Sequence, residues 1–276
     1  MNPHAVPPAT LKSLYTTLWR NRQLIGQMTW REVMGRYKGS ALGLLWSFFN
    51  PLFMLAVYTF VFSEIFKARW GSTGSQSKTE FAVLLFAGMI VQGLFAEVIN
   101  RAPSLILSNV NYVKKVVFPI EILPVVSIAA ALFHTLISIG VLLCAFALFN
   151  GYLQWTCVFI PIVLMPLIIL ITGLSWMLAS LGVFLRDVGP TVNILSVVLM
   201  FLSPVFYPVS AVPERFRAWI MLNPLTFIIE QAREVLILGH FPDWTGLVTY
   251  TLLALAIAWA GFGWFQKTRK GFADVL

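Results

Sequence analysis

The stretch that decides the fold is residues 122–185, ILPVVSIAAALFHTLISIGVLLCAFALFNGYLQWTCVFIPIVLMPLIILITGLSWMLASLGVFL. These 64 residues contain no Asp, Glu, Lys or Arg. A helix needs about 20 apolar residues to cross a bilayer, so the run is too long for one span and long enough for two. The more polar NGYLQW at 150–155 lies between two apolar runs and supplies a turn. The stretch therefore predicts a pair of membrane-spanning helices.

The chain as a whole is also strongly apolar. Of the 276 residues 59% are hydrophobic and 11% are charged, whereas a soluble domain carries roughly 25% charged residues. We predict an all-α polytopic membrane protein whose single transmembrane domain occupies residues 1–276. Residues 1–39 would be a cytoplasmic or interfacial segment, 40–265 the six-span core and 266–276 a cytoplasmic tail. The six predicted spans are residues 40–66, 81–99, 119–149, 156–183, 188–207 and 244–265.

The distribution of basic residues predicts the orientation. Lys and Arg are kept on the cytoplasmic side of membrane proteins, and six spans place both termini on one side. The side with both termini then carries 13 of the 19 basic residues: Lys12, Arg20, Arg22, Arg31, Arg36, Lys38, Arg101, Lys114, Lys115, Arg186, Lys267, Arg269 and Lys270. We expect both termini to be cytoplasmic, and the net charge of +8 needs no nucleic-acid partner to explain it. No signal-peptide core appears before Gly39, so the first span should insert uncleaved.

Short amphipathic helices are predicted outside the spans. Residues 11–22 combine apolar residues at helical spacing with flanking basic residues, which is typical of a helix lying in the membrane interface. Between the fifth and sixth spans, Asn223 suits a helix N-cap, Pro224 the first helical position and Gly239 the C-terminal stop. This helix is too short to cross the membrane and should be interfacial or re-entrant, preceded by a shorter piece at 213–221.

The sequence lacks a convincing catalytic or metal-binding motif. No HExxH, paired-carboxylate or Ser-His-Asp pattern is present, and Cys144 and Cys157 are interpreted as small apolar residues. GSTGSQSKT at 71–79 resembles a phosphate-binding loop, but Ser72 and Ser77 stand where that loop needs glycine. We expect no metal and no cofactor on this chain, and any ATP would be bound by another chain.

Two polar features within the spans need an explanation. WSFFNPLF at 46–53 places Asn50 and Pro51 in the middle of the first span, where Pro51 leaves the carbonyl of Ser47 without its helical donor. Such groups are tolerated in a membrane where protein or a polar cavity satisfies them. A plain structural kink is the alternative. His134 is the ionisable residue deep in a span, and we interpret it as a neutral histidine hydrogen-bonded to a neighbouring helix rather than as a proton relay.

Five motifs, in order, resemble the membrane subunits of type-2 ABC exporters of lipid-linked polysaccharide, the O-antigen and teichoic-acid exporter family. They are RYKGSALGLLWSFFNPL at 36–52, KKVVFPIEILP at 114–124, FLRDVG at 184–189, SPVFYP at 203–208 and NPLTFIIEQAREVL at 223–236. The resemblance implies a homodimer in the bacterial cytoplasmic (inner) membrane, bound to two copies of a separate ATP-binding subunit that holds ATP and Mg. It also implies lipid-linked polysaccharide as the substrate.

The resemblance also implies roles for individual residues, all of which are expectations. The translocation pathway would include Trp46, Phe49, Asn50, Tyr58, Phe206 and Tyr207. Coupling to the ATPase would involve Arg31, Arg36, Asn109, Asn111, Tyr112, Lys114 and Lys115. An outer gate built from the helices at 213–221 and 224–238 would include Phe216, Trp219, Glu230, Arg233 and Glu234.

The expected function is therefore that of the pore-forming subunit of an ATP-driven exporter of O-antigen-type polysaccharide. Export of wall teichoic acid is the alternative within this class. A membrane-embedded glycosyl- or acyltransferase is the alternative from another class, and it would act on a lipid-sugar donor without an ATPase.

Overall fold

The computed structural model describes residues 11–65, 78–113 and 118–276, and the regular elements in these ranges are all helical, which confirms the all-α prediction. Short 3₁₀ turns and two π-helical segments, Thr59–Ile65 and Glu234–Leu238, join or extend the α-helices. The α-helices are α1 (Leu11–Arg20), α2 (Arg22–Arg36), α3 (Trp46–Tyr58), α4 (Lys78–Arg101), α5 (Val110–Val113), α6 (Ile122–Asn150), α7 (Ile160–Phe184), α8 (Val188–Leu202), α9 (Glu214–Leu222), α10 (Pro224–Arg233), α11 (Trp244–Thr268) and α12 (Phe272–Val275).

Five helical stretches in the described ranges are long and apolar enough to cross a membrane. They correspond to the first four and the last of the predicted spans, and the polytopic fold is confirmed. The turn predicted at 150–155 is also present, because Gly151 ends α6 with a φ of 77°. The five stretches are Gly43–Phe62, Phe81–Ser104, Ile122–Asn150, Trp155–Phe184 and Trp244–Gly271.

The predicted fifth span at 188–207 is wrong in its length. Helix α8 has 15 residues and ends at Leu202, after which Ser203 is extended with a ψ of 150°. Pro204 explains this end, because proline disfavours helical backbone in the residue before it. At about 1.5 Å per residue α8 covers ~22 Å, less than the ~30 Å of hydrocarbon in a bilayer. The chain thus has five full-length apolar helices and one short one in its described part.

The core has two parts. The larger cluster surrounds α4, whose apolar residues from Phe81 to Ile99 are nearly all buried against α6, α7, α8 and α10. The smaller cluster joins Met28 of α2, Ile106, Trp176 near the end of α7, and Phe265 and Phe272 near the chain's end. The N-terminal helices and the C-terminal helices therefore lie at the same end of the bundle, as predicted for an even number of crossings.

Helices α7 and α11 approach each other at glycine. A Cβ added to Gly261 would lie 2.1 Å from the carbonyl oxygen of Gly173, and one added to Gly173 would lie 2.4 Å from the Cα of Ala258. Small residues allow this approach, and close van der Waals contact is what holds apolar helices together in lipid. Helix α11 is thereby fixed against α7.

Candidate functional site

A polar cavity lies between α3, α4 and α6. It has a volume of about 280 Å³, and the segment that joins α2 to the first span closes one end of it. Its polar lining residues are Arg36, Tyr37, Ser47, Asn50, Tyr58, Glu97, His134, Thr135 and Ser138. Three neighbouring apolar helices thus line a site rich in hydrogen-bonding groups.

Asn50 and Pro51 both line this cavity. Helix α3 continues through Pro51, which is buried, while the side chain of Asn50 is exposed and Ser47, one turn earlier, also borders the cavity. The hydroxyl of Ser47 donates to the carbonyl oxygen of Leu44 at 2.7 Å. The polar groups around the proline therefore face a polar space instead of lipid, which is the condition under which a proline is tolerated in a span.

Two ion pairs join α2 to α4 beside the cavity. Arg36 contacts Glu97 at 2.9 Å, and Glu32 contacts Arg101 at 2.5 Å. These four residues line an adjacent cavity of about 430 Å³. Burial raises the pKa of Glu32, and the nearby Arg101 opposes that rise. Two guanidinium groups therefore face two carboxylates, and the charges of these four side chains balance.

His134 closes the network on the side of α6. Its Nδ1 lies 3.3 Å from the hydroxyl of Tyr37, and the two rings meet edge to face at 5.8 Å between centroids. This agrees with the interpretation of His134 as a hydrogen-bonded histidine. Its partner is in the segment after α2, not in a neighbouring span.

The residues expected on the translocation pathway fall into separate groups. Asn50 and Tyr58 border the cavity, whereas Trp46 is exposed and Phe49 is half-buried near the start of α3. Phe206 stacks on Phe62, with 6.2 Å between ring centroids, at the far end of the first span. The hydroxyl of Tyr207 donates to the carbonyl oxygen of Phe201 at 3.0 Å. One chain does not bring these six residues together, although the end of the first span and the segment after α8 touch through the rings of Phe62 and Phe206.

The residues expected to couple to an ATPase lie near each other where the structure describes them. Arg31 donates to the hydroxyl of Tyr112 at 2.7 Å, which joins α2 to α5, and Arg36 belongs to the ion pairs described above. Asn109 donates to the carbonyl oxygen of Leu105 at 2.9 Å, and Asn111 is exposed. Lys114 and Lys115 lie outside the described residues, as do residues 71–77 of the polar loop.

The two helices expected to form an outer gate are present, and the second of them is capped as predicted. Asn223 accepts a hydrogen bond from the backbone N–H of Leu225 at 3.0 Å, and Gly239 ends the helix with a φ of 77°. Phe216 and Trp219 on α9 are exposed. Glu234 contacts the ring of His240 at 2.5 Å.

Helical spacing in residues 224–238 predicts that Arg233 lies on a polar face with Glu230 and Glu234, and this prediction is wrong for Arg233. Its side chain is 2% exposed and donates to three backbone carbonyl oxygens, those of Leu84, Pro204 and Val205, as well as to Glu230 at 2.8 Å. Burial lowers the pKa of Arg233 to about 10, opposed by Glu230. The segment after α8 has carbonyls without helical partners, and a buried guanidinium satisfies them.

Glu32, Glu97 and Arg101 were not identified as site residues from the sequence. The available signal was the spacing, because both α2 and α4 carry a Glu followed four residues later by an Arg. In the described part of the chain, no three His, Cys, Asp or Glu side chains are placed to hold a metal ion.

Comparison with known proteins gives one family and several relatives. A family model described as ABC-2 type transporter matches residues 23–237. The chain is 26% identical to an O-antigen export system permease protein of Myxococcus xanthus, over 95% of this chain and 99% of that protein. It is 27% identical to an O-antigen export system permease protein of Klebsiella pneumoniae, over 92% of this chain and 95% of that protein. It is 28% identical to a polysialic acid transport protein of Escherichia coli, over 87% of this chain and 91% of that protein.

Proposed function

Since the chain belongs to the ABC-2 type transporter family, we propose that it is the pore-forming subunit of an ATP-driven exporter of lipid-linked polysaccharide of the O-antigen type. The observation that carries the proposal is the similarity to O-antigen export permeases along nearly the whole of both chains. The chain is also similar to a protein that transports polysialic acid, which is another polysaccharide. This similarity supports polysaccharide as the class of polymer that is exported.

The proposed assembly is a homodimer in the bacterial inner membrane with two copies of a separate ATP-binding chain, which would hold ATP and Mg. The basic residues favour cytoplasmic termini, because 13 of 19 would then lie on the cytoplasmic side. Helices α2 and α5 would face the ATPase, and their contact through Arg31 and Tyr112 would let them respond together. The exposed apolar residues of α3 and α8 would meet lipid or the second subunit.

Reconstitution tests this proposal. The chain would be co-purified in lipid nanodiscs with a candidate ATP-binding chain from the same genome, and ATP hydrolysis would be measured with and without lipid-linked polysaccharide. We expect a two-plus-two complex whose hydrolysis rate changes when the polymer is added. A complex carrying an ATPase variant without its phosphate-binding lysine is the control.

Parallel assays with O-antigen-type, teichoic-acid and polysialic-acid carriers would identify the polymer. A chain that associates with no ATPase, and that alone turns over a lipid-sugar donor, would instead be a membrane-embedded transferase. That result would contradict the proposal directly.

A further inference from the structure

The two ion pairs between α2 and α4 have a crossed arrangement. Glu32 pairs with Arg101 and Arg36 pairs with Glu97, so increasing residue numbers on α2 meet decreasing numbers on α4. The two helices are therefore antiparallel where they touch. On each helix the acidic residue precedes the basic one by four positions, about one helical turn.

This pattern allows a single alignment of the two helices. If α2 slid by one turn in one direction, Arg36 would come opposite Arg101; in the other direction, Glu32 would come opposite Glu97. Either slip replaces two attractive contacts with one repulsive contact between like charges. One-turn slips of one packed element past another are among the known conformational changes of proteins, and the charge order acts against such a slip.

The pairs are placed to discriminate between alignments rather than to add stability. The arginine side chains are 47% and 43% exposed, and ion pairs with such exposure add little to stability because water screens them. A slip exchanges both attractive pairs for one pair of like charges, so the arrangement favours the observed alignment although each pair alone contributes little. The carboxylates, 25% and 20% exposed, are the more buried partners.

Helix α2 is also tied to other elements. Arg31 donates to Tyr112 of α5, and Tyr112 stacks on Phe118 with 4.4 Å between ring centroids. Tyr37, directly after α2, contacts His134 of α6. Helix α2 is thus linked to α5 at Arg31, and the residues at its end contact cavity residues on α4 and α6.

We propose that Glu32, Arg36, Glu97 and Arg101 form a register lock that makes α2 and α4 move as one body. They are positioning residues: without sliding, a displacement delivered to α2 is passed in full to the span that forms the cavity wall. The role in transport rests on the proposed function, whereas the lock itself does not.

Four proteins of equal charge test the lock. They are the wild type, the α2 swap (Glu32→Arg with Arg36→Glu), the α4 swap (Glu97→Arg with Arg101→Glu) and the double swap. Each single swap places like charges opposite each other in the native alignment and opposite charges together in the slipped ones. The double swap restores both attractive pairs. Since composition and net charge are constant, differences among the four report pairing alone.

The first readout uses the purified permease without polymer or ATPase. In a background with Cys144→Ser and Cys157→Ser, spin labels are attached at Gln27→Cys on α2 and Ser104→Cys after α4, both exposed positions. Labelled protein is diluted with unlabelled protein so that distances within one chain dominate. We expect each single swap to shift the distance by about one turn, ~5 Å, and the double swap to restore it. Equal distances in all four proteins would overturn the lock.

The second readout is export together with ATP hydrolysis in the complex. We expect single swaps to lose at least about tenfold in export per ATP hydrolysed, and the double swap to return to within about threefold of the wild type, tenfold being ~1.4 kcal/mol of coupling. If the wild type exports and the single swaps export equally well, the lock has no role in transport. If the wild type itself does not export, the proposed function fails while the distance measurement still decides the lock.

Discussion

The Nε of Arg233 donates a hydrogen bond to the carbonyl oxygen of Leu84 at 2.9 Å, across 149 residues of sequence. The same guanidinium holds the carbonyl oxygens of Pro204 and Val205 through its other nitrogens. One buried side chain therefore joins α10, the beginning of the second span and the extended segment after α8.

Replacing Arg233 should destabilise the protein strongly. We expect Arg233→Leu to lower the free energy of unfolding by at least about 3 kcal/mol, because three buried carbonyls lose their donor. Arg233→Lys should be intermediate, since an ammonium group cannot span the same set of acceptors. Thermal unfolding in nanodiscs measures the effect, and Arg215→Leu, at an exposed position on α9, is the control. Equal melting temperatures for Arg233→Leu and the control would contradict this role.

Gly88 should be needed for the same contact. A Cβ at Gly88 would lie 2.8 Å from the Nη2 of Arg233, and that nitrogen is held in place by its bond to Val205. We expect Gly88→Ala to destabilise by about 1–3 kcal/mol, as overpacking typically does. Gly93→Ala on the same helix has open space around its Cβ and should be stable. Comparing the melting temperatures of the two variants checks this.

The close approach of α7 and α11 makes a third prediction. Gly261→Ala places a methyl group against the backbone of Gly173, so the helices must separate and lose contacts along their length. Gly263→Ala, two residues further, meets nothing within 4 Å. We expect the first variant to unfold at a clearly lower temperature and the second to match the wild type. An unchanged melting temperature in Gly261→Ala would mean that α11 is not fixed as described.

Pro51 should matter for transport more than for folding. Pro51→Ala restores the backbone donor to the carbonyl of Ser47 and should stiffen α3 beside the cavity. We expect export to fall about tenfold, or ~1.4 kcal/mol of barrier, with normal expression. Pro166→Ala in α7 is the matched control, because Pro166 is also buried inside a helix but does not line the cavity. Export of Pro51→Ala at the wild-type rate would favour a plain structural kink.

Glu230 should make the stability depend on pH. Burial raises its pKa, and the contact with Arg233 opposes this rise without cancelling it. The folded protein therefore binds the proton more tightly than the unfolded chain does. The resulting stability is fully present below the unfolded pKa, near 4.5, and is lost as the pH rises through the folded pKa. We expect Glu230→Gln to remove this part of the pH dependence in unfolding experiments between pH 4 and 7. A pH profile identical to that of the wild type would contradict it.

The sequence allowed good prediction wherever a local pattern determines structure. The two spans of 122–185, the cap at Asn223 and the end at Gly239 follow from apolar length, a side-chain acceptor and a positive φ. The early end of α8 was also within reach, because Pro204 follows Ser203 directly. The prediction gave more weight to the apolar composition of 188–207 than to that proline.

Pairing between distant segments could not be predicted in the same way. Arg233 has the spacing of a polar-face residue, and nothing near it in sequence shows that Pro204 and Val205 need donors. Glu32 and Arg36 have the spacing of an ion pair within one helix, yet each pairs with α4 instead. In both cases the partner becomes visible only when the helices are packed.

Because α8 is too short to cross the hydrocarbon core of a bilayer, the thickness of the bilayer should affect this protein. Apolar side chains such as Ile194, Val198 and Phe201 are exposed along a helix shorter than its neighbours. Lipids beside α8 must compress to match it, while those beside α6 and α7 need not. Longer acyl chains raise the energy of that mismatch, and covering α8 with a second subunit removes it. Lipid chain length should therefore shift the balance between single subunits and the proposed dimer without any change in sequence.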